Sequence, residues 1–231
     1  MYVPDHFRPS DAEVASLLAG MGAGELITAT HEGLLATLLP LIWEPAPDSA
    51  GASPVVGGDA PAGEPKPLGR LQGHVARNNR QWRVPAVDEA LVIVRGPDAY
   101  ISPGWYATKR EHGRVVPTWN YVTAHLHGRL VVHDHVEWCE RNVRALVARH
   151  EGRRAEPWSV DDAPPPYIAG QLRAIVGVEI LVTRIEAKTK LGQNRSRDDV
   201  YGAIEGLEAL GDGPSLATAA AMQAVEDERH R

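Results

Sequence analysis

The chain has 231 residues, 43% of them hydrophobic and 23% charged, and this composition is that of a globular protein rather than a disordered one. Its net charge of −6 does not favour nucleic-acid binding through bulk positive charge. The one cysteine, Cys139, excludes an intrachain disulfide, and the lack of a signal peptide or of ~20 consecutive apolar residues predicts a soluble cytoplasmic protein.

The first predicted elements are a helix and two strands. Residues 10–20 have a helical apolar stripe, and Ser10 with Glu13 forms a capping-box pattern at its start. Residues 26–29 and 34–42 predict two strands joined by a hairpin turn. Because both strands are nearly all apolar, we expect both to lie in the interior of a barrel or sheet.

The next segment, 44–69, breaks the composition of the chain. Of its 26 residues, 11 are Pro or Gly, which predicts a mobile loop inserted between two strands. Residues 70–75 predict a strand that leads into a polar turn. In and before this turn His74, Asn78 and Asn79 could hold a phosphate through side-chain and backbone N–H groups, although an ordinary solvated turn explains the same residues.

The middle of the chain predicts a hairpin, a loop and a long strand. Residues 90–94 and 99–102 flank the turn signal Gly96-Pro97-Asp98, and residues 104–113 form a loop rich in Trp, Tyr, Lys and His. Residues 115–132 predict one long strand or two with a bend.

The C-terminal part predicts helices around one last strand. Asp134 is expected to cap a helix, residues 167–175 form a short helix, and residues 178–185 form the strand. Two further helices are expected within 197–231. The hairpin order of the strands, without βαβ alternation, predicts a mainly β (α+β) fold: an antiparallel split β-barrel with peripheral helices, in a single domain over 1–231.

Two clusters of polar side chains stand out, and the first of them is also aromatic. The first, Thr118-Trp119-Asn120-Tyr121, lies within the long strand and suggests a wall for a flat ligand. The second follows the last strand and offers cations and amides: Lys188, Lys190, Gln193, Asn194 and Arg195. A phosphorylated ring cofactor needs stacking faces, hydrogen-bond donors and positive charge, so these clusters favour such a ligand.

Other motifs are weaker. The pairs His125/His127 and His133/His135 each point to one face of a strand, but Gly128 breaks the register between them, so no metal is expected. The glycine-rich segment 20–24 follows a helix and precedes a strand, the wrong order for a dinucleotide loop.

Four stretches carry a resemblance to a known family: MYVPDHF, GHVARNNRQW, YISPGWYATKREHGRVVPTWNYVTAHLHG and KTKLGQNRS. In these stretches the chain resembles the PaiB-type FMN-binding negative transcriptional regulators. The resemblance implies an FMN-binding split barrel, with FMN as cofactor. It also implies a homodimer with the flavin at the interface.

The resemblance also assigns roles to the candidate residues. His74, Asn78 and Asn79 would bind the flavin phosphate, and Lys109 would supply positive charge. Thr118, Trp119, Asn120 and Tyr121 would line the ring and ribityl chain. The edge of the other subunit in the homodimer would supply the remaining residues: Lys188, Lys190, Gln193 and Asn194.

Three functions are compatible with these motifs. The first is an FMN-binding protein that regulates transcription through bound flavin, with a protein or small-molecule partner. The second is an FMN-dependent oxidoreductase, for which Lys109 and His112 are the acid–base candidates. The third is haem binding through His125 or His230. Direct, tight DNA binding is not expected, because acidic residues interleave the arginines of the helix after Asp134.

Overall fold

The computed structural model describes residues 1–47 and 66–230. Six strands and six α-helices are found there, together with short 3₁₀ turns at Asp5–Phe7, Pro103–Trp105 and Val160–Asp162. The strands are β1 (Ala23–Thr30), β2 (Gly33–Pro45), β3 (Gly69–Ala76), β4 (Ala90–Ile101), β5 (Thr118–His133) and β6 (Ile175–Lys190). The helices are α1 (Asp11–Gly20), α2 (Thr108–His112), α3 (Val136–Glu151), α4 (Pro165–Arg173), α5 (Arg197–Leu210) and α6 (Gly213–Arg229).

The strands close into a barrel in the order β1-β2-β3-β6-β5-β4. The pairs β1/β2, β1/β4, β2/β3 and β3/β6 are antiparallel. The predicted fold class, an antiparallel barrel with peripheral helices, is therefore confirmed. None of the helices in the described ranges is both long enough and apolar enough to cross a membrane.

The chain divides into two compact units. Unit 1 comprises 1–14, 95–124 and 187–231, and unit 2 comprises 15–94 and 125–186. Strands β4, β5 and β6 contribute residues to both units.

The start of α1 is confirmed as a capping box. The backbone N–H of Ser10 donates to Glu13 Oε2 at 2.6 Å, and the N–H of Glu13 donates to Ser10 Oγ at 3.3 Å. This reciprocal pairing satisfies two backbone donors that a helix start leaves without partners.

The expectation that β2 lies wholly in the interior is wrong. Leu39 and Leu41 are buried, but Leu34 is 75% and Leu38 is 70% exposed. Successive strand residues point to opposite faces, so a strand that is apolar throughout exposes every second side chain when only one face is covered. An exposed apolar row results.

The predicted hairpin around Gly96-Pro97-Asp98 is also wrong, since β4 runs without a break from Ala90 to Ile101. Pairing of β4 with β1 ends at Ile93. Beyond that point the missing N–H of Pro97 costs no hydrogen bond to β1, so the strand tolerates the proline.

Asp134 does not cap α3, contrary to expectation. The N-cap residue is His135 and has no side-chain capping bond. The Asp134 carboxylate instead accepts two hydrogen bonds from the Arg77 guanidinium, at 2.5 and 3.0 Å.

The predicted insertion 44–69 lies mostly outside the described residues. Its ends are described: Pro45 of β2 pairs with Gly69 of β3, and Glu44 pairs with Arg70. The segment therefore joins two neighbouring antiparallel strands.

Helices α5 and α6 close the core of unit 1. Leu207 and Met222 are almost fully buried there, together with Tyr106 and Ile101. Gly206 lies directly against the Trp105 ring, where a Cβ atom would come within 2.3 Å of the ring carbons. A glycine is needed at this point of α5 to let the indole approach.

Candidate functional site

Lys190, at the end of β6, lies at the centre of a polar cluster in unit 1. Its ammonium donates to Thr118 Oγ1 at 2.5 Å and to the backbone carbonyl of Trp119 at 2.9 Å. Lys190 and Thr118 were both predicted at the site, and the fold brings them into contact although they are 72 residues apart in sequence. An ammonium has three N–H donors, so these two contacts leave one for a ligand.

Aromatic rings surround the neighbouring lysine. The Lys188 ammonium lies 5.6 Å from the ring centre of Tyr121, 5.7 Å from that of Phe7 and 5.9 Å from that of Tyr2. Lys190 is 5.8 Å from the Tyr121 ring. Each distance is within cation–π range.

The cluster carries concentrated positive charge. Burial lowers the pKa of the Lys190 ammonium, and the nearby charges of Lys188 and Arg195 lower it further. Arg195 stacks on Tyr106, with its guanidinium carbon 4.7 Å from the ring centre. Burial raises the pKa of the Tyr106 hydroxyl, which Arg195 opposes. Within the described chain, none of the three cations forms an ion pair with a carboxylate.

The four residues of the wall on β5 do not share one environment. Trp119 is 51% exposed, and its Nε1–H donates to Asp98 Oδ1 at 2.8 Å. Asn120 is 3% exposed, and its amide contacts the sulfur of Met222 at 3.3 Å. Alternation along a strand separates these two neighbours, since Asn120 points to the buried face and Trp119 to the exposed one.

The other candidate residues of unit 1 have no described contact with the Lys190 cluster. Gln193 is engaged in its own turn: its amide donates to the Thr189 carbonyl at 2.7 Å and accepts from the Leu191 N–H at 2.8 Å. Asn194 and Lys109 are exposed. His112, the acid–base candidate, is exposed, and its Nδ1 accepts from the N–H of Arg114 at 3.0 Å.

Unit 2 contains the three residues that were expected at the phosphate. His74 Nδ1 lies 2.9 Å from Asn142 Oδ1. Asn79 donates to Thr37 Oγ1 at 3.0 Å and accepts from the N–H of Gln81 at 2.8 Å. Asn78 is exposed. The side chains of His74 and Asn79 are thus engaged in contacts within unit 2.

The arginines of the same turn are paired with carboxylates. Arg77 binds Asp134 and also donates to the carbonyls of Arg173 and Ile175, at 2.7 and 3.1 Å. Arg80 binds Glu32. Their positive charge is therefore already compensated.

The histidine pairs on and after β5 do not converge on a metal. His127 Nε2 lies 3.3 Å from Glu186, and His133 Nε2 lies 3.0 Å from Glu179. Burial lowers the pKa of the His127 imidazole. In residues 1–47 and 66–230, no three His, Cys, Asp or Glu side chains are close enough to hold a metal ion.

Two aromatic residues of the site were missed by sequence reasoning. Tyr2 and Phe7 lie in the N-terminal stretch MYVPDHF. The stretch is a family motif, but nothing in its local pattern indicates that it meets the end of β6. Only the fold brings the two ends of unit 1 together.

Comparison with known proteins identifies the family. Residues 1–184 match the model of the family described as "Putative FMN-binding domain". The chain belongs to this family, and its cofactor is FMN.

Relatives support the same assignment. The chain is 31% identical over 210 residues to "Protease synthase and sporulation protein PAI 2" of Bacillus subtilis, covering 90% of this chain and 89% of the relative. An uncharacterized protein of Aspergillus fumigatus is 32% identical over 176 residues, or 62% of this chain and 67% of that protein. A conserved hypothetical protein of Mycobacterium tuberculosis has a similar fold, with a TM-score of 0.50 at 12% identity, covering 82% of this chain and 90% of that one.

The cluster around Lys190 fits this cofactor chemically. FMN carries a phosphate, which cations without carboxylate partners stabilise, and a flat ring, which aromatic faces contact. The cluster contains such cations, Lys188, Lys190 and Arg195, and such an aromatic face, Tyr121.

Proposed function

We propose that this protein is a regulatory flavoprotein that binds FMN at the Lys190 cluster. The observation that carries the proposal is three cations, Lys188, Lys190 and Arg195, that contact aromatic rings, a hydroxyl and carbonyl oxygens and have no carboxylate partner among the described residues. Clustering like charges costs free energy in the free protein, and a bound phosphate dianion offsets that cost. An anion site is therefore the simplest reason for the arrangement.

Within this site each residue has a proposed role. Lys190, held by Thr118 and the Trp119 carbonyl, binds the phosphate with Lys188 and Arg195. Tyr121 and the exposed Trp119 contact the ring. When bound, FMN supplies reversible electron transfer.

Two candidate residues are proposed to position the cations rather than to contact FMN. Asn120 holds β5 against Met222, and Gln193 shapes the turn that follows β6. Both keep the cations in position, since they fix the two segments that Lys190 connects.

We further propose a homodimer in which the flavin site is completed by the second copy. An exposed apolar row on β2, containing Leu34, Ala36, Leu38 and Pro40, supports a partner surface in unit 2. Exposed apolar rows of this kind mark association sites more often than free surface. Light scattering is expected to give twice 25.0 kDa, and a monomer that binds FMN at micromolar concentration would contradict the shared site.

Regulation is favoured over turnover by the name of the Bacillus subtilis relative, which refers to sporulation. Two of the three arginines of α3 are already engaged within the protein, which argues against direct DNA contact: Arg144 binds Glu140 and Asp161, and Arg149 donates to the carbonyls of Ala19 and Met21. We therefore propose regulation in the cytoplasm through a partner rather than through direct DNA contact.

Two measurements test the proposed function. Adding apoprotein to FMN is expected to quench flavin fluorescence saturably, at one FMN per chain; the absence of saturation at micromolar concentrations would contradict it. A gel shift at physiological salt separates the regulatory routes, because a nanomolar, competitor-resistant duplex complex would establish direct DNA binding.

A further inference from the structure

Unit 2 contains an apolar pocket of about 440 Å³ that is lined by strands β2, β3 and β6 and by helices α3 and α4. Each helix contributes a pair of apolar side chains four residues apart, which places both members on one helix face. The pairs are Val143/Val147 of α3 and Ile168/Leu172 of α4. A volume of this size and a mainly apolar lining are typical of small-molecule sites in proteins.

The apolar walls of this pocket are only partly covered by the described chain. Leu172 is 6% exposed, whereas Val143, Val147, Ile168 and Ile175 are half-buried. Apolar surface that stays in contact with water is unfavourable, and a ligand that covers it removes that cost. The lining therefore favours a mainly apolar molecule.

His74, on β3, gives the pocket a hydrogen-bond acceptor. Its Nδ1 lies 2.9 Å from Asn142 Oδ1, and because an amide oxygen can only accept, Nδ1 carries the proton. In a neutral imidazole the other nitrogen, Nε2, is then an acceptor. Within residues 1–47 and 66–230 this Nε2 has no hydrogen-bond partner, and the ring is half-buried rather than sealed from solvent.

The contact with Asn142 also determines which edge of the His74 ring is turned to the pocket. His74 lines the pocket, but Asn142 is not one of the described residues that do. The Nδ1 edge of the ring faces Asn142, so the opposite edge, which carries Nε2, is the part left for the pocket. An acceptor without a partner thus lies among apolar walls.

The pocket offers no unpaired charge to a ligand. Glu151 is the only carboxylate among the described residues that line it, and Arg154 Nε lies 3.2 Å from Glu151 Oε1. The described lining contains no lysine or arginine. A charged ligand would lose its hydration here without gaining a partner of opposite charge, so an uncharged ligand is favoured.

We infer that this pocket binds a small, uncharged and mainly apolar molecule that carries one N–H or O–H group, as indoles and phenols do. That group donates to His74 Nε2, and the apolar side chains of α3 and α4 cover the rest of the molecule. The described residues of the pocket all belong to unit 2, whereas the Lys190 cluster belongs to unit 1. The site is therefore additional to the proposed FMN site.

The test titrates two ligands into the full-length chain with equimolar FMN and ¹³C-labelled isoleucine methyl groups. Indole has one N–H donor, and 1-methylindole has the same ring system without the donor. Indole is expected to shift the methyl signals of Ile168 and Ile175 saturably, with a dissociation constant of about 1 mM or below, which is ordinary for a ligand of this size. 1-Methylindole is expected to bind about five- to tenfold more weakly, the loss of one hydrogen bond.

Two variants test the role of the acceptor. His74→Leu removes Nε2 and is expected to bring the affinities for indole and 1-methylindole within about twofold of each other. His150→Leu removes the other imidazole of the pocket, which is exposed, and is expected to keep the wild-type ratio. The dispersion of the methyl spectrum checks folding, and if His74→Leu does not fold, the comparison of the two indoles in the wild type decides. Quenching of flavin fluorescence on the same samples reports FMN binding separately, so a failure of the FMN proposal is recognised as such.

Three results would overturn the inference. The first is a response of the Ile168 and Ile175 signals to indole that stays linear up to about 5 mM, or that is matched by Ile204 in the core of unit 1. The second is equal affinity of the wild type for the two indoles, which shows that no donor is recognised. The third is loss of the preference for indole in His150→Leu but not in His74→Leu, which places the acceptor on the other histidine.

Discussion

The basic residues at the end of β6 and those in the turn after β3 look alike in sequence and differ in the fold. Arg77 and Arg80 of the turn are both paired with carboxylates. Lys188 and Lys190 contact rings, a hydroxyl and carbonyl oxygens instead. A cation that has a carboxylate partner adds little to anion binding, because the anion must displace that partner. Charge is available for a ligand only where the fold leaves it uncompensated.

The largest expected effect is on FMN affinity when Lys190 is replaced. Lys190→Met removes the charge but keeps the aliphatic stem, and the affinity is expected to fall by about 1.5–3 kcal/mol, or roughly 10- to 150-fold. Fluorescence titration measures the dissociation constants. Arg110→Met, which removes an exposed charge from α2 of the same unit, is the matched control. Equal losses in both variants would remove the distinction between the two basic regions.

A second prediction concerns the aromatic face of the site. Trp119 and Trp158 are 51% and 45% exposed, so they form a matched pair. Trp119→Ala is expected to weaken FMN binding by about 1 kcal/mol, since a stacking face is lost, and Trp158→Ala to leave it unchanged. Comparable titration curves for the two variants would show that Trp119 does not touch the flavin.

The pH dependence of binding is the third prediction. The pKa of Lys190 lies below the ordinary lysine value of 10.5, so the free protein loses this proton earlier than an exposed lysine would. FMN affinity is therefore expected to fall as pH rises through that lowered pKa. The stability of the free protein should rise over the same window, because the unfolded chain binds more protons there. Chemical denaturation and FMN titration across alkaline pH test both signs, and Lys190→Met should abolish both trends.

The smallest effect on binding is expected at the other basic region. Arg77→Met breaks the contacts with Asp134 and with two carbonyls, so the melting temperature should fall. FMN affinity should stay within about twofold of the wild type, because a paired charge contributes little to anion binding. A large loss of affinity with an unchanged melting temperature would move the phosphate to the β3 turn.

Local patterns predicted much of the fold. The Ser10–Glu13 capping box and the extended structure over most of 115–132 depend on residues close together in the chain, and the structure confirms them. The sequence left open whether that segment is one strand or two with a bend, and the structure shows one. Failures occurred where tertiary pairing overrode a local signal. Gly96-Pro97-Asp98 is a strong turn sequence, yet β4 passes through it because the proline lies beyond the pairing with β1.

The sequence predicted several residues of the site, but it did not predict which of the basic residues are paired with carboxylates. Composition and motif placed Lys188, Lys190 and Tyr121 among the candidates, and unit 1 brings them together. Which cations are compensated depends on partners far away in sequence: Arg77 and Asp134 are 57 residues apart. No local pattern carries that information.

The most direct test of the central claim compares FMN with riboflavin, which lacks the phosphate. If Lys190 binds the phosphate, the wild-type protein should bind FMN at least about tenfold more tightly than riboflavin, the value of one charge-assisted contact. In Lys190→Met that ratio should fall by about tenfold or more, since only Lys188 and Arg195 remain for the phosphate, while riboflavin affinity stays unchanged. If the variant loses affinity for both flavins equally and keeps the wild-type ratio, Lys190 does not bind the phosphate, and the assignment of this site is contradicted.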